Sequence, residues 1–486
     1  MNTPSFRLVK VITFVFLFYI VIATGSYAQT FTTLATFHGE NGAGPSSSLI
    51  QGTDGNFFGT TVGGGAVASG TIFKVTSSGT LTTLHSFQGT DGSAPLGALV
   101  ITTTGNFFGT APFGGVSPFC SAKGCGSAFK MTPKGQLVTL YSFCSQAASC
   151  PDGNSPQAGL IRATDGSFYG TTITGGAHGF GTVFKISAGG KLKILHSFNG
   201  ADGRQPAARL LQGTDGYFYG TTQFGGTFDQ GAIFRMSAKG TLTAIYSFCG
   251  QSGCPDGYLP LGELVEGLDG NFYGTTYGGG ANSNFCGGGC GTVYRITSGG
   301  TLVTIYNFCE QAKCADGYLP AAGLALATDG NFYGTNTGDG VTGNGTIFQI
   351  TPGGILTTLH RFDSVSNSQG VLIQATNGQF YGTTFSGGDF SNCSFGCGTV
   401  FALDNGLGPF VETVPGAAKV GATVLILGNN LKGTTAVEFN GVAAAFKVVS
   451  STEIKTKVPV GATTGTVTVT APGGSLKSNV VFRVIG

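Results

Sequence analysis

Short apolar runs, four to a unit, recur along most of the chain and are separated by turn residues. In the third unit they occupy residues 159–164, 167–172, 181–186 and 191–198. Each run has the length of a β-strand, and the intervening Asp-Gly, Gly-Gly and Pro-Lys-Gly sequences are typical of hairpin turns. No long apolar pattern with a 3.6-residue period follows residue 28, so the sequence predicts an all-β protein with almost no helix.

One seven-residue motif marks each unit. Asp-Gly-Asn-Phe-Phe-Gly-Thr at residues 54–60 has six further copies, at spacings of 48 to 61 residues, starting at Thr104, Asp165, Asp215, Asp269, Asp329 and Asn377. Adjacent aromatic residues such as Phe168 and Tyr169 put apolar side chains on both faces of a strand, as a sheet packed between two neighbours requires. Four hairpin-linked strands form an antiparallel meander, and seven meanders predict a seven-bladed β-propeller. A kelch repeat has a similar length, but the absence of Trp disfavours it.

The two ends of the repeat region complement each other. The strand pattern Leu-x-x-Leu-x-Ser-Phe occurs seven times, first at residues 31–37, and the pattern Gly-Thr-Val-Phe also occurs seven times, last at residues 398–403. The repeat region thus begins with a strand of the first pattern, and its last unit lacks a strand of that pattern. We therefore expect residues 31–37 to complete the last blade and close the ring over residues 29–405.

Composition and charge exclude some classes of partner. Only 9% of the residues are charged and 41% are hydrophobic, with 86 Gly and 40 Phe, which is typical of a folded, turn-rich β protein. The formal net charge is +2 and there is no run of Lys or Arg. We therefore expect no binding to nucleic acid or to anionic lipid.

Residues 1–28 have the features of a signal peptide. Arg7 and Lys10 precede an apolar stretch at residues 11–23, and Ser26-Tyr27-Ala28 provides small residues where cleavage requires them. The alternative is a membrane anchor, which needs ~20 apolar residues. We expect an exported monomer, located outside the cell, at the cell surface or in the periplasm, whose mature chain has no membrane span.

The 12 cysteines form six close pairs in the sequence, and an even number in an exported chain favours disulfides. The alternative of a metal site lacks nearby His and any Cys-x-x-Cys spacing. The expected bridges are Cys120–Cys125, Cys144–Cys150, Cys249–Cys254, Cys286–Cys290, Cys309–Cys314 and Cys393–Cys397.

The cysteine pairs also distinguish the two faces of the predicted ring. Every pair brackets extra residues, and only two of the four loops in a unit are ever lengthened: the loop after Gly-Thr-Thr and the loop before Asp-Gly-x-x-Pro. Successive loops of a meander alternate between its ends, so these two emerge on one face, the decorated face. The other face, the plain face, carries the short turns such as those at residues 165–166 and 188–190. Long loops on a rigid scaffold are the usual place for binding sites.

Aromatic residues in the lengthened loops are the candidate ligand-binding residues. They could form a platform for a glycan or for an apolar protein surface. The alternative is that they fill the small cores of their own glycine-rich loops, and the absence of Trp counts against a lectin. The candidates are Phe113, Phe180, Phe224, Tyr277 and Phe385.

A series of aspartates shares one repeat position on the decorated face, each followed by Gly. A ring of such carboxylates could hold a cation such as calcium, but an Asp-Gly turn whose carboxylate binds its own backbone explains them as well, and we favour the turn. They are Asp91, Asp152, Asp202, Asp256 and Asp316.

Groups suited to catalysis are few. Asp229, Asp339 and Asp389 are acids outside the repeat consensus in lengthened loops, but they belong to different units and have no evident partner. The sequence has no phosphate loop, zinc motif or nucleophile elbow. We therefore expect no enzyme activity and no cofactor.

Two resemblances complete the sequence-based picture. The pattern Asp-Gly-Asn-Phe-Tyr-Gly-Thr-Thr, followed by Gly-Gly, Gly-Thr-Val-Phe-Lys-Ile-Thr and Gly-x-Leu-x-x-Leu-x-Ser-Phe, resembles the GloVer-type tandem repeat of exported bacterial proteins. The resemblance to that family implies no particular biochemical activity. Members of the family often end in an interchangeable surface anchor. The residues before Gly486 form no apolar tail, so we do not expect that anchor here.

The C-terminal region has a different composition. After a turn-rich linker at residues 404–409, strands are predicted at residues 423–427, 436–439, 453–457, 466–470 and 480–484. Gly428-Asn-Asn-Leu431, Val437-Glu-Phe-Asn-Gly441, Val458-Pro459, Gly465-Thr-Val467 and Pro472-Gly-Gly474 resemble an IPT/TIG domain over residues 408–486. The resemblance implies an immunoglobulin-like β-sandwich that serves as a binding or spacer module.

The resulting hypothesis is an exported, non-enzymatic binding or adhesion protein that contacts a carbohydrate or an extracellular protein through its decorated face. The alternatives are an extracellular polysaccharide hydrolase or lyase and a purely structural component of the cell envelope.

Overall fold

A computed structural model describes residues 29–121, 123–282, 285–363 and 367–486. The predicted signal peptide, residues 1–28, lies outside these ranges. The described residues form seven four-stranded antiparallel sheets, then a smaller domain of two four-stranded sheets and one two-stranded sheet. In these ranges no helix is long and apolar enough to cross a membrane, and a 3₁₀ turn occupies Ala312–Cys314. The predicted all-β class, a propeller followed by a sandwich, is confirmed.

The propeller strands follow one another in chain order. β1 (Thr30–Thr36) precedes blade 1, which contains β2 (Ile50–Gln51), β3 (Phe57–Thr61), β4 (Thr71–Val75) and β5 (Leu81–Ser86). Blade 2 contains β6 (Val100–Ile101), β7 (Phe107–Ala111), β8 (Ser127–Met131) and β9 (Leu137–Ser142). Blade 3 contains β10 (Ile161–Arg162), β11 (Phe168–Thr172), β12 (Thr182–Ile186) and β13 (Leu192–Ser197). Blade 4 contains β14 (Leu211–Gln212), β15 (Phe218–Thr222), β16 (Ala232–Met236) and β17 (Leu242–Ser247).

The remaining blades repeat the same plan. Blade 5 contains β18 (Val265–Glu266), β19 (Phe272–Thr276), β20 (Thr292–Ile296) and β21 (Leu302–Asn307). Blade 6 contains β22 (Ala325–Leu326), β23 (Phe332–Asn336), β24 (Thr346–Ile350) and β25 (Leu356–Arg361). Blade 7 contains β26 (Ile373–Gln374), β27 (Phe380–Thr384) and β28 (Thr399–Asp404), and its fourth strand is β1, paired antiparallel with β28 so that Thr30 faces Asp404 and Thr36 faces Thr399. The prediction that residues 31–37 complete the last blade is confirmed.

The paired aromatic residues of the repeat motif form a closed ring of contacts between blades. In each blade the second aromatic residue packs against the first aromatic residue of the next blade, with centroids 3.9 to 4.5 Å apart. Such pairs add about 0.5–1.5 kcal/mol each beyond simple burial. The pairs are Phe58–Phe107, Phe108–Phe168, Tyr169–Phe218, Tyr219–Phe272, Tyr273–Phe332, Tyr333–Phe380 and Tyr381–Phe57.

The glycine and threonine of the motif have separate roles in packing. A Cβ on Gly220 would lie 2.5 Å from the Phe234 ring, so only glycine leaves room for that ring within the blade. The threonine after it points to the neighbouring blade: the Thr275 hydroxyl donates to the Ala322 carbonyl at 2.8 Å, and the Thr110 hydroxyl donates to the Ala158 carbonyl at 2.7 Å. The residues of the motif are therefore required for contacts between blades as well as for strand formation.

The C-terminal domain packs two sheets around one core. Its strands are β29 (Glu412–Val414), β30 (Ala417–Lys419), β31 (Thr423–Leu427), β32 (Ala436–Phe439), β33 (Val442–Ala443), β34 (Phe446–Val448), β35 (Glu453–Lys457), β36 (Val467–Ala471), β37 (Gly474–Lys477) and β38 (Arg483–Ile485). The sheet orders are β29-β31-β35-β34 and β33-β32-β36-β37, and β30 pairs in parallel with β38. The predicted last strand at residues 480–484 was partly wrong, because Val480 and Val481 are exposed and the strand begins at Arg483.

This domain packs against the plain face of the propeller. The Thr452 hydroxyl donates to the Thr53 carbonyl at 2.8 Å, and the Asn429 amide donates to the Thr376 hydroxyl at 2.8 Å. Arg483 donates to the carbonyl of Gly213 at 2.6 Å. Because all three contacts involve plain-face turns, the decorated face remains clear of the C-terminal domain.

Candidate functional site

The lengthened loops of each blade meet on the decorated face. The loop between the second and third strands contacts the connection that enters the same blade, for example where Arg204 pairs with Phe224 and Tyr258 with Gly278. All six predicted disulfides are present, each joining cysteines 4 to 6 residues apart in the sequence. These short bridges constrain loops that have little hydrophobic core of their own.

At the centre of this face lies a depression of about 450 Å³ over the axis of the ring, which we call the mouth. Three glutamines, Gln157, Gln223 and Gln369, line it, and their side-chain amides make no hydrogen bond to any described residue. Tyr277 and Thr337 also line the mouth, and none of the described residues that line it is charged. The mouth therefore presents free neutral donors and acceptors beside an aromatic ring.

Exposed apolar side chains surround the mouth at a larger radius. Each blade carries at least one in the loop between its second and third strands, so the blades together form a rim. Its members are Val67, Phe113, Val116, Phe119, Phe180, Phe228, Phe285, Val341, Phe390 and Phe395.

The five predicted aromatic candidates occupy different places. Tyr277 lies in the mouth, and Phe113 lines a separate cleft of about 560 Å³ that also contains Lys123. Phe180 is 39% exposed on the rim. Phe224 is covered by the Arg204 guanidinium, 4.7 Å from its ring centre, and Phe385 is half-buried. The structure thus brings Tyr277 alone to the mouth, while the others are distributed among the blades.

The predicted aspartate series is engaged in hydrogen bonds within the loops. Asp91 accepts from the Gln88 N–H at 2.8 Å and lies 2.7 Å from the His85 Nε2 atom, and Asp202 has the same contacts with Asn199 and His196. Burial raises the pKa of Asp91, but the bonds from His85 and the Gln88 N–H outweigh it, so that pKa lies below its ordinary value.

The other three members bond to tyrosines in place of histidines. The hydroxyls of Tyr141, Tyr246 and Tyr306 donate to Asp152, Asp256 and Asp316 at 2.7 to 2.8 Å. Among the described residues, the groups of three or more possible ligands within reach of one ion consist only of disulfide-bonded cysteines. The arrangement of these aspartates fits the turn interpretation.

The three acids considered for catalysis are held by groups of their own blades, which are blades 4, 6 and 7. Asp229 forms a bidentate pair with Arg204 at 2.9 and 2.8 Å, which helps hold the pKa of that carboxyl below its usual value. Asp339 is buried and accepts from the N–H groups of Thr342 and Gly343. Asp389 accepts from the Ser391 N–H at 2.8 Å.

A second cavity was not foreseen from the sequence. It lies between the plain face and the C-terminal domain, has a volume of about 610 Å³, and is lined by charged residues that include Arg162, Arg209, Glu263 and Arg483. We call it the chamber. A narrow axial channel lined by residues of all seven blades joins the mouth side to Arg209 and Glu263. A sequence signal was available for three of them, because Arg162, Arg209 and Glu263 depart from the repeat consensus.

Comparison with solved structures finds low similarity. A gluconolactonase from Xanthomonas campestris is 14% identical, with a TM-score of 0.34, and the match covers 57% of this chain and 78% of that chain. A luciferin-regenerating enzyme is 10% identical, with a TM-score of 0.42, and the match covers 79% of this chain and 97% of that chain. Both TM-scores are too low to bear on the activity of this chain. No curated protein shows significant similarity to it.

Family comparisons are more informative. The Gloeobacter/Verrucomicrobia repeat matches residues 18–151, 115–288 and 287–444, and the IPT/TIG domain matches residues 411–484. These matches confirm both resemblances predicted from the sequence motifs. The chain belongs to the Gloeobacter/Verrucomicrobia repeat family and carries a C-terminal IPT/TIG domain.

Proposed function

We propose that this exported protein binds neutral carbohydrate, without catalysis, at the mouth of the decorated face. The observation that supports the proposal is the convergence of three free amides, those of Gln157, Gln223 and Gln369, on one uncharged depression that also contains Tyr277. These glutamines are half-buried, and an amide without a hydrogen-bond partner among the described residues is available to a ligand.

The chemistry of these groups suits a sugar. A glutamine amide both donates and accepts, as a pair of adjacent hydroxyls does. A tyrosine ring offers an apolar face for the C–H side of a sugar ring and a hydroxyl at its edge. Since the described lining residues carry no charge, a neutral glycan fits the mouth better than an acidic one.

The rim supports contact with a ligand larger than one sugar. Its side chains extend over all seven blades, and large exposed apolar residues on a rimmed surface are typical of interaction sites. With the IPT/TIG domain on the opposite face, the mouth is free to meet an extended glycan outside the cell. Location at the cell surface, in the periplasm or in the medium is part of this proposal.

A glycan array with the mature protein tests the proposal, followed by calorimetry on any neutral glycan that binds. Gln223→Ala and Tyr277→Ala should each weaken binding by about tenfold, since one hydrogen bond or stacking contact contributes about 1–1.5 kcal/mol. The matched control is Tyr217→Ala, because Tyr217 is an exposed tyrosine on the plain face. Absence of binding to any neutral glycan, or equal affinity in all three variants, would contradict the proposal.

The non-catalytic part of the proposal is supported by the engagement of the three candidate acids within their loops. Incubation with the bound glycan should release no reducing sugar. Release that is abolished by Asp229→Asn, Asp339→Asn or Asp389→Asn would instead identify a glycan-cleaving enzyme.

A further inference from the structure

We propose that the chamber binds a small amphipathic anion, an anionic head group attached to an apolar body, through the guanidinium groups of Arg162 and Arg209. The proposal is independent of glycan binding at the mouth, which lies on the other face.

Arg162 replaces a residue that joins blades elsewhere in the ring. At the equivalent position Gln212 and Gln374 each accept the N–H of a threonine in the preceding blade at 2.9 Å and donate to that threonine's hydroxyl. Glu266 accepts the Thr214 N–H in the same way. Arginine has no acceptor, so Arg162 cannot make this contact, and its buried Nη1 atom has no hydrogen-bond partner in the part of the chain that the structure describes.

Arg209 and Glu263 are also exceptions, at a position that faces the axial channel. The five other blades have small or aliphatic residues there: Ser48, Ala98, Gly159, Gly323 and Val371. The Arg209 Nε atom donates to the Leu160 carbonyl at 3.2 Å, and its two Nη atoms make no hydrogen bond to a described residue. Two guanidinium groups from adjacent blades, each with free donors, thus border one cavity.

The charge balance of the chamber favours an anion. Three arginines, Arg162, Arg209 and Arg483, line it together with two glutamates. Glu266 is engaged by Thr214. Burial raises the pKa of Glu263 although Arg209 opposes the shift, so this carboxyl holds a proton more readily than an exposed one. Planar guanidinium groups bind carboxylate and phosphate with paired hydrogen bonds.

The remaining walls are apolar and lead to an exposed opening. Leu210, Leu264 and Leu324 line the propeller side, and Pro415 lines the side of the C-terminal domain. Leu268, Val480 and Val481 line the same cavity and are 69%, 42% and 46% exposed. A head group at Arg162 and Arg209 would therefore direct an apolar body along these walls toward solvent. A cavity of this size with a few polar groups is typical of small-molecule sites.

Calorimetric titration of the mature protein with octanoate, octyl phosphate and octan-1-ol tests the proposal. Both anions should bind, and octan-1-ol should bind at least about tenfold more weakly. Arg162→Gln should weaken binding of the anions by about tenfold or more, because a charge-assisted bond is lost. This variant installs the residue that other blades carry at the same position, so folding should be retained.

Two further variants complete the test. Val481→Glu adds a negative charge at the exposed opening and should weaken the anions but not octan-1-ol. Arg235→Gln is the control, since Arg235 stacks on Tyr217 on the outer part of the plain face. Equal affinity for octanoate and octan-1-ol, absence of binding, or an unchanged affinity in Arg162→Gln would overturn the proposal. Glycan binding at the mouth should be the same in all these proteins, so the two proposals can fail separately.

Discussion

The decorated and plain faces are built from the same seven repeats, yet they tolerate change very differently. On the plain face the turns pin neighbouring blades together, as Gln212 does with Thr164, and they also receive the C-terminal domain. On the decorated face the blades are joined by backbone hydrogen bonds, such as the one from the Leu259 N–H to the Gln230 carbonyl at 3.0 Å, and loop side chains bond locally, as Asp256 does with Tyr246 and the Cys249 N–H. Because backbone bonds do not require a particular side chain, the rest of such a loop can lengthen and diversify, and all six disulfides lie on that side.

The strongest test of this comparison contrasts a buried aromatic residue between blades with an exposed one in a decorated loop. Tyr219 packs on Phe272 with centroids 4.0 Å apart, and its hydroxyl donates to Asp215. Tyr219→Ala should lower the free energy of unfolding by about 3–5 kcal/mol. Phe228→Ala, at a residue that is 48% exposed, should change it by less than about 0.5 kcal/mol. Urea denaturation measures both, and similar losses would contradict the assignment of stability to blade contacts.

A second test separates local from global stability on the decorated face. Replacing Cys249 and Cys254 together by serine removes one short bridge, worth about 2 kcal/mol by the loop-entropy estimate. We expect faster amide hydrogen exchange in residues 248–257, while the amides of β15 and β16 in the preceding blade exchange at the original rate. If those strands also lost protection, the decorated loops would contribute to the stability of the ring.

A third test addresses the side-chain hydrogen bonds that join neighbouring blades on the plain face. Gln212→Ala removes the acceptor of the Thr164 N–H and should cost about 1 kcal/mol in unfolding free energy. Gln223→Ala is the matched control, since the Gln223 amide lies in the mouth without a hydrogen bond to any described residue, and its stability should be unchanged. Equal losses would show that the mouth amides are structural, which would also weaken the carbohydrate proposal.

The features that could be predicted from the sequence are those for which several repeats carry the same pattern. The blades and the closure by residues 31–37 follow from patterns in which each copy corroborates the others, and the six disulfides follow from close cysteine pairs in a chain predicted to be exported. Even the place of lengthened loops on one face followed from the order of strands in a meander.

The unpredicted features depend on single copies or on contacts between domains. Arg162, Arg209 and Glu263 each occur in one blade, so comparison among repeats treats them as variation, and only the fold brings them together beside Arg483 of the C-terminal domain. The mouth was predicted only in part. Tyr277 was a predicted ligand-binding residue, but the three glutamines come from two different repeat positions and share no motif.

The smallest expected effect is on the stability of the protein in acid. It tests a property that both faces share, which is a turn aspartate whose pKa is lowered by hydrogen bonds. On the plain face Asp269 resembles Asp91 of the decorated face: burial raises the pKa of its carboxyl, but the Asn271 side chain and N–H outweigh this, so the pKa lies below its ordinary value. In each case the folded state binds fewer protons than the unfolded state near pH 4. The stabilisation is therefore complete above about pH 4 and is lost as the pH falls through the lower folded value.

Asp91→Asn and Asp269→Asn should each reduce the loss of unfolding free energy between pH 5 and pH 3 relative to the original protein, by less than about 1 kcal/mol because both carboxyls are partly exposed. Urea denaturation at the two pH values measures the difference. Equal effects would mean that the two faces share one turn chemistry and differ only in loop length and in what they contact. If only Asp269→Asn reduced the loss of unfolding free energy, acid would destabilise the protein through the plain face. Protonation of the decorated loops would then not affect the stability of the ring.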